Sequence, residues 1–386
     1  MKLLYLFLSF LIFTNYSFAQ SKIDEKYPNI NASQYYFLID ADNKEILAGK
    51  NFDEKIAPSS MTKLMTAYVV FDQIKKGNIA LKNRCVIGKD AWRKSGSSMF
   101  LNYGDVVTIE DLVKGLLATS ANDAAIALAE TTGTNFENFI QLMNLKAQEL
   151  NMKNSHFKNP HGLHEEGHYM SLRDLATLSI RIYNDFPEFA DYLKIPEFTY
   201  RNITQKNRNP LIKNNYDGTL GGKTGHTNQG GYGLVAMVKR DNRKLVAVVN
   251  KVSSPKLREK MITELFDYGF EEYKKIYIFN KGDSILKIPV WLGNYRKVEA
   301  VINEEVSFNI PRNKSINDIK ITAKYKSPLI APLKNNAKIA TLTINIKGMD
   351  QLKYDLYAKE KIDKVGFIRK IKRIIEYYIN KILKFL

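Results

Sequence analysis

The sequence has almost no cysteine. Cys85 is the single one among 386 residues, so no internal disulfide can form. Set in Arg84-Cys85-Val86-Ile87-Gly88, it reads as a small packing residue of a half-buried strand or turn, not as a nucleophile. Internal repeats and low-complexity tracts are also missing, which excludes solenoid and fibrous architectures. Acidic residues are scarce relative to basic ones, 40 against 58, giving a formal charge of +18. That imbalance points toward anionic partners: nucleic acid, anionic lipid or an acidic polymer.

What is present first is an export signal. Lys2 supplies the positive segment, Leu3 to Phe13 an apolar one, and Ser17-Phe18-Ala19 a small-x-small cleavage site. Residues 1–19 are therefore expected to be a signal peptide cut after Ala19. No cysteine follows the cut, so no lipid anchor is expected there. An exported chain is a poor fit to nucleic acid, which leaves lipid or polymer as the partner for the charge.

Strand patterns flank a helical middle. Two β-rich runs surround Ala41-Asp42-Asn43-Lys44, a hairpin signal. A helix entered through Pro58 and Ser59 follows; Met61, Leu64, Met65, Tyr68 and Val69 nearly encircle it, so it is expected at the centre of the core. Helical periodicity runs from Ile109 to about Ile180. Two strands then meet at a turn at Asp241-Asn242, and a helix covers about Lys256 to Tyr268. One sheet holding both terminal strand sets, with helices on its faces, satisfies this order. From about Ile276 the pattern alternates, as in Val298/Ala300/Ile302 and Leu342/Ile344/Ile346, with Pro311, Pro328 and Pro332 between, which predicts a small all-β domain.

The last stretch is again helical, with Ile368, Ile371, Ile375, Tyr378, Ile382 and Leu386 on one face. Arg369, Lys370, Lys372, Arg373, Lys381 and Lys384 interrupt it, so it should lie in a membrane interface on anionic headgroups and not span it. A helix docked on its own protein is the other reading. The expected organisation is residues 1–19 signal, 20–275 the sheet-and-helix domain, 276–358 all-β domain and 359–386 amphipathic helix.

The stretch His164-Glu165-Glu166-Gly167-His168 spells the H-E-x-x-H pattern of zinc proteases. That chemistry needs both histidines on one helix face, and Pro160, Gly162 and Gly167 break any such helix before a cap at Ser171. We expect a loop, no metal and no cofactor.

Three other words carry chemistry. In Ser60-Met61-Thr62-Lys63 the hydroxyl and the amine stand one helical turn apart, and the first turn favours a developing alkoxide. Lys63 can take a proton only when neutral, so burial or a neighbouring cation must lower its pKa. Alone the word also fits a surface Ser and Lys. Ser120-Ala121-Asn122, between apolar helical segments, fits a cleft lining or a helix N-cap. In Lys223-Thr224-Gly225-His226-Thr227, Gly225 admits a close backbone, Lys223 brings charge, and Thr224 and Thr227 offer hydroxyls to a carboxylate; a glycine-rich hairpin edge is the alternative.

S-x-x-K, S-x-N and K-T-G in this order form the signature of the serine penicillin-recognising enzymes. Together with "APSSMTKLMTAY", "GSSMFLNYGD", "LLATSANDAAIALAE", "HFKNPHGL", "NRNPLI" and "GGKTGHTNQGGYGLVA", the chain closely resembles the low-molecular-mass penicillin-binding proteins that act as D-alanyl-D-alanine carboxypeptidases. The resemblance implies an α/β fold, an antiparallel sheet flanked by helices as in penicillin-binding-protein/β-lactamase-like transpeptidases, plus the small all-β domain and terminal helix. It implies a serine hydrolase removing the terminal D-alanine from peptidoglycan stem peptides in cell-wall maturation and cell-shape maintenance. β-Lactams are the implied inhibitors and the periplasmic face of the inner membrane the implied location. By the same resemblance Ser60 is the nucleophile, Lys63 its base, Ser120 the proton shuttle and Asn122 a substrate-amide holder. Lys223 supports the proton network, Thr224, Thr227 and Arg208 meet the terminal carboxylate, and the backbone N–H groups of Ser60 and His226 form the oxyanion hole. A β-lactamase is the runner-up, but no E-x-x-L-N follows the second motif to aim a deacylating water. A DD-endopeptidase is the other alternative.

Overall fold

The computed structural model describes residues 26–383, with side chains as far as 379. The expected signal peptide lies outside the described residues. The chain divides into two compact units, residues 1–272 and 273–386.

In the first unit the hairpin strands are β1 (Tyr35–Asp40) and β2 (Ile46–Lys50). After them come α1 (Lys63–Lys75), β3 (Arg84–Val86), α2 (Lys89–Arg93), β4 (Val106–Thr108), α3 (Ile109–Lys114), α4 (Asn122–Thr132), α5 (Phe136–Glu149) and α6 (Leu172–Asp185). A small hairpin of β5 (Glu197–Tyr200) and β6 (Ile203–Lys206) and the short α7 (Pro210–Lys213) lead to β7 (Thr219–Thr227), β8 (Gly231–Arg240), β9 (Arg243–Val252) and α8 (Pro255–Glu271). The main sheet has the order β2-β1-β9-β8-β7, all pairs antiparallel. Strand β1 thus pairs with β9 across two hundred residues of chain, as the strand patterns at both ends require.

The central strands β8 and β9 read as continuous apolar runs because both of their faces are covered. Val235, Met237, Val246 and Val248 join the large core shared with α1, α4 and α6. Their alternate neighbours face the other way, where Gly269 of α8 lies against Leu245 and Leu38. Asp241 adopts φ +51° at the β8–β9 turn, as a tight hairpin demands. The encircled pattern of α1 has the predicted consequence: every residue from Lys63 to Phe71 is buried.

Two local expectations are corrected. The serine motif does not sit on an α-helix throughout: Ser59–Thr62 is a 3-10 turn that passes into α1 at Lys63. Such a turn eclipses side chains three apart, so Ser60 and Lys63 stand directly one above the other. The Ser120-Ala121-Asn122 triplet caps nothing with its side chains. It follows a π-turn at Gly115–Thr119; Ser120 takes a left-handed conformation at φ +66°, and Asn122 opens α4. A non-glycine residue there is costly and is held only where surrounding structure insists.

The second unit is all β, closed by one helix. Strands β10 (Tyr273–Phe279) and β13 (Val306–Pro311) pair, and β11 (Ser284–Trp291), β12 (Lys297–Ile302), β14 (Ile319–Tyr325), β15 (Leu329–Ile330), β16 (Lys338–Ile346) and β17 (Leu352–Ala358) form a sheet ordered β14-β16-β17-β12-β11-β15. Val298, Ala300, Ile302, Leu342, Ile344 and Ile346 all enter its core, as the alternation predicted. The terminal helix α9 spans Phe367–Leu383.

Candidate active site

The three motifs converge. Lys63 is wholly buried, 0% exposed, while Ser60 at the turn above it is half-buried and reachable. Lys63 Nζ lies 3.1 Å from Ser60 Oγ, 2.7 Å from Asn122 Oδ1 and 2.7 Å from the carbonyl oxygen of His161. The orientation of the Asn122 amide is fixed, because its Nδ2 donates to Ser95 O at 2.8 Å. Two of the three partners of the amine are therefore carbonyl oxygens, which can only accept. A neutral amine gives its two hydrogens to them and turns its lone pair toward Ser60 Oγ.

Electrostatics favour that neutral form. Burial is the largest influence and pushes the Lys63 amine well below the usual lysine range; the charges of Lys223 and Arg208 push the same way. Lys223, also buried, is lowered to about 7 by burial and then by Arg208 and Arg258. Its Nζ donates to Ser120 Oγ at 2.9 Å and to Thr224 O at 3.1 Å. Ser120 thus links the second and third motifs.

Strand β7 is an edge of the main sheet and presses on the serine turn. A Cβ on Gly225 would meet Pro58 O at 2.8 Å and Ser59 Cβ at 3.1 Å. The space this glycine leaves is taken by the protein's own serine turn, not by a ligand backbone as its sequence context suggested. Thr227 Oγ1 is likewise engaged, 2.9 Å from Ser59 Oγ and accepting the Gly230 N–H at 3.0 Å. Thr224 is buried, and His226 is exposed with its ring stacked on Tyr232 at 3.9 Å. Arg208 is exposed on the other rim and donates to Ser97 Oγ at 2.9 Å.

The H-E-x-x-H stretch is a loop. His164 is exposed, whereas His168 is buried, so the two histidines do not converge. His168 Nδ1 accepts the Lys158 N–H at 3.1 Å, so its hydrogen is on Nε2, which donates to Thr62 Oγ1 at 2.9 Å. Burial lowers its pKa to about 4 and keeps the ring neutral. The same loop accepts Thr66 Oγ1 on Pro160 O at 2.6 Å. At Gly162, φ is +83° and a Cβ would fall 1.9 Å from Ser59 O. The loop is thus the floor on which the serine turn and the lysine rest.

Two site components escaped the sequence reading. One is the His161 carbonyl, a backbone group that no residue type announces. The other is Asp123, a buried carboxylate that accepts Ser98 Oγ at 2.6 Å, the Met99 N–H at 3.1 Å and the Leu101 N–H at 3.2 Å. It fixes the Ser95–Leu101 segment, whose Ser97 O accepts the Asn122 N–H at 2.6 Å. The available signal was its place next to the second motif, at the head of the apolar run Ala124–Ala129.

Comparison with known proteins agrees with this geometry. The family model described as D-alanyl-D-alanine carboxypeptidase matches residues 21–254, and that of the penicillin-binding protein 5 C-terminal domain matches residues 273–364. The chain is 34% identical to the D-alanyl-D-alanine carboxypeptidase DacF of Bacillus subtilis over 342 residues, covering 87% of each. It is 33% identical to DacA of Escherichia coli over 353 residues, covering 89% of this chain and 87% of that one. The solved penicillin binding protein 5 of Haemophilus influenzae superposes with a TM-score of 0.82 at 32% identity, covering 86% of this chain and 98% of that one. A buried amine under a reachable serine, set in this fold and matched over most of its length, places the chain in the family of serine-type D-alanyl-D-alanine carboxypeptidases.

Proposed function

We propose that this carboxypeptidase cleaves the bond between the two terminal D-alanines of peptidoglycan stem peptides through an ester on Ser60. The reading is carried by one observation: the fully buried amine of Lys63 sits 3.1 Å from Ser60 Oγ with two carbonyl oxygens occupying its other contacts. Ser60 Oγ attacks the carbonyl carbon as its proton passes to the Lys63 lone pair. The backbone N–H groups of Ser60 and His226 receive the developing oxyanion, and loss of one such donor costs about 3 kcal/mol. The tetrahedral intermediate collapses, the C–N bond breaks, and the departing D-alanine amine takes the proton that Lys63 received from Ser60, relayed by Ser120 with Lys223 beside it, so that Lys63 is neutral again. Water then adds to the ester and gives its proton to the neutral Lys63, the bond from the carbonyl carbon to Oγ breaks, and Lys63 returns the proton to Ser60 Oγ as the shortened peptide leaves.

Asn122, Thr224, Thr227 and Arg208 hold the substrate in this reading. Strand β7, whose outer edge pairs with no strand in the described sheet, suits an extended peptide, and Arg208 and Thr224 suit its terminal carboxylate. Thr227 contributes through Ser59, which it holds, as much as through direct contact.

β-Lactams share the shape and reactive carbonyl of that dipeptide and become slow esters on Ser60. Incubation with benzylpenicillin followed by intact mass measurement tests the proposal. A stable adduct on the wild type that is absent in Ser60→Ala is expected; an equal adduct in both proteins would sink the assignment.

The protein works on the outer face of the inner membrane in this reading, exported by residues 1–19 and held by α9. Ile368, Ile371, Ile375 and Tyr378 of that helix are all exposed, which supports a lipid-facing stripe. Tyr377, one position over, packs its ring against Trp291 at 5.2 Å. No helix among the described residues is long and apolar enough to cross a membrane. Ile382 and Leu386, placed on the same stripe by the sequence, lie outside the described side chains.

A further inference from the structure

A second cluster stands beside the catalytic groove, and no step above uses it. Val86, Trp92, Phe100, Tyr103 and Val106 are exposed by 70%, 47%, 49%, 58% and 59%. Val86, Trp92, Tyr103 and Val106 lie together, and Phe100 stands in the chain segment that leads to Tyr103. Val86 and Val106 are register partners in the β3–β4 pair. Ile87 N–H donates to Asp105 O at 2.8 Å and Gly104 N–H to Ile87 O at 3.0 Å, so Tyr103 is held beside the same strand end. Its ring lies 6.4 Å from that of Trp92. Solvent-exposed apolar groups scattered singly need no explanation, but a contiguous group of aromatics does.

The surface is also rigidly presented. Phe100 adopts φ +66°, a costly conformation for a residue with a Cβ. The N–H groups of Met99 and Leu101, on either side of it, are both pinned by the buried Asp123 carboxylate. The fold thus spends backbone strain to hold this ring out into solvent. The same segment is rooted in the active site, because Ser95 O and Ser97 O accept the side-chain and backbone N–H groups of Asn122.

We propose that this aromatic face is a binding site for the glycan strand of peptidoglycan. The inference rests on the reading that Ser60 acts on stem peptides, since glycan and stem peptide are then parts of one molecule. Pyranose rings present patches of C–H bonds whose slight positive charge suits the negative faces of Trp92 and Tyr103. Arg93 lies 5.8 Å from the Trp92 ring and Lys89 5.8 Å from the Tyr103 ring, so N–H donors stand ready for sugar hydroxyl and acetamide oxygens. Asp90 on the same helix leaves the face mixed in charge, unlike the uniformly basic surface that anionic lipid favours. Seating the strand here raises the local concentration of its stem peptide at Ser60.

The double variant Trp92→Ala/Tyr103→Ala tests the proposal against two substrates: a free pentapeptide ending in D-Ala-D-Ala, and uncross-linked glycan strands carrying the same pentapeptide. Free-peptide turnover is expected to stay within about twofold, while KM on the strands rises about tenfold with kcat held, the size expected for losing two ring contacts. Trp92→Phe/Tyr103→Phe should restore most of that KM. An unchanged KM on strands, or an equal loss on both substrates, overturns the proposal. Binding of peptide-free glycan strands to Ser60→Ala, followed by sedimentation, gives a readout independent of catalysis. It must weaken when the two rings are also removed; if the rings instead control sedimentation with anionic vesicles, the face is a lipid contact and the proposal falls. If the wild type cleaves neither peptide substrate, the proposed reaction fails, and the strand-binding result still decides this inference.

Discussion

Asn122 holds Lys63 with one end of its amide and the Ser95 carbonyl with the other, at 2.7 Å and 2.8 Å. One side chain therefore ties the buried amine to the Ser95–Leu101 segment, and neither contact tolerates exchange of its oxygen for its nitrogen.

Asn122→Asp keeps the shape but sets a carboxylate beside the Lys63 amine. An adjacent negative charge favours the protonated amine, and a protonated amine cannot act as base. Acylation by a fluorescent penicillin at pH 7 should fall by about a hundredfold or more, within the range that general-base catalysis contributes, and should partly recover as pH rises. A stopped-flow pH series checks both parts.

Lys223→Met should move the acid limb of the acylation profile to higher pH. The charge of Lys223 is one of the causes holding the Lys63 pKa down, second to burial. Below about pH 7, where Lys223 carries its proton, removing that charge lets Lys63 keep its own proton to higher pH. The variant should lose more rate at pH 6 than at pH 9. Uniform loss across the range would show that Lys223 acts only by contact with Ser120 and substrate.

Stability should fall on acidification, through His168. Its folded pKa is lowered to about 4 from the unfolded value of 6.5, so the unfolded chain binds more protons between those limits. The stabilising preference for the neutral ring is complete above pH 6.5 and is lost as pH falls toward 4, a change of about 3 kcal/mol at most. Part of the acid sensitivity belongs to His161, lowered to about 2 chiefly by burial. In His168→Gln, whose amide can still meet Thr62, the fall in Tm from pH 7 to pH 4.5 should be visibly shallower than in the wild type.

Deleting residues 364–386 should release the protein from anionic vesicles in a sedimentation assay without reducing penicillin acylation. Continued sedimentation would assign membrane binding to some other surface.

The parts of the site that sequence made legible are those whose chemistry lies in side chains at fixed spacing. Ser60, Lys63, Asn122 and Lys223 stand in three words whose order resembles that of the penicillin-recognising enzymes, and the structure brings those words together. The illegible parts are backbone and context. The His161 carbonyl looks like any other in sequence, and the π-turn at Gly115–Thr119 leaves no periodicity distinct from a helix. Gly225 was legible as a close approach but not as to what approaches it. At the level of fold, the main strands were announced by long apolar runs, while β3 with β4 and β5 with β6 are too short to carry a pattern. The loop reading of His164–His168 followed from its glycines and prolines; that its last histidine braces Thr62 did not, since that contact crosses a hundred residues.

The pairing of β1 with β9 has a consequence for biogenesis. A chain made from its N-terminus delivers Ser60 early and the Lys223 strand late, and the sheet that aligns them cannot close until Val252 has arrived. Hydrolytic capacity is thereby withheld from the incomplete polypeptide.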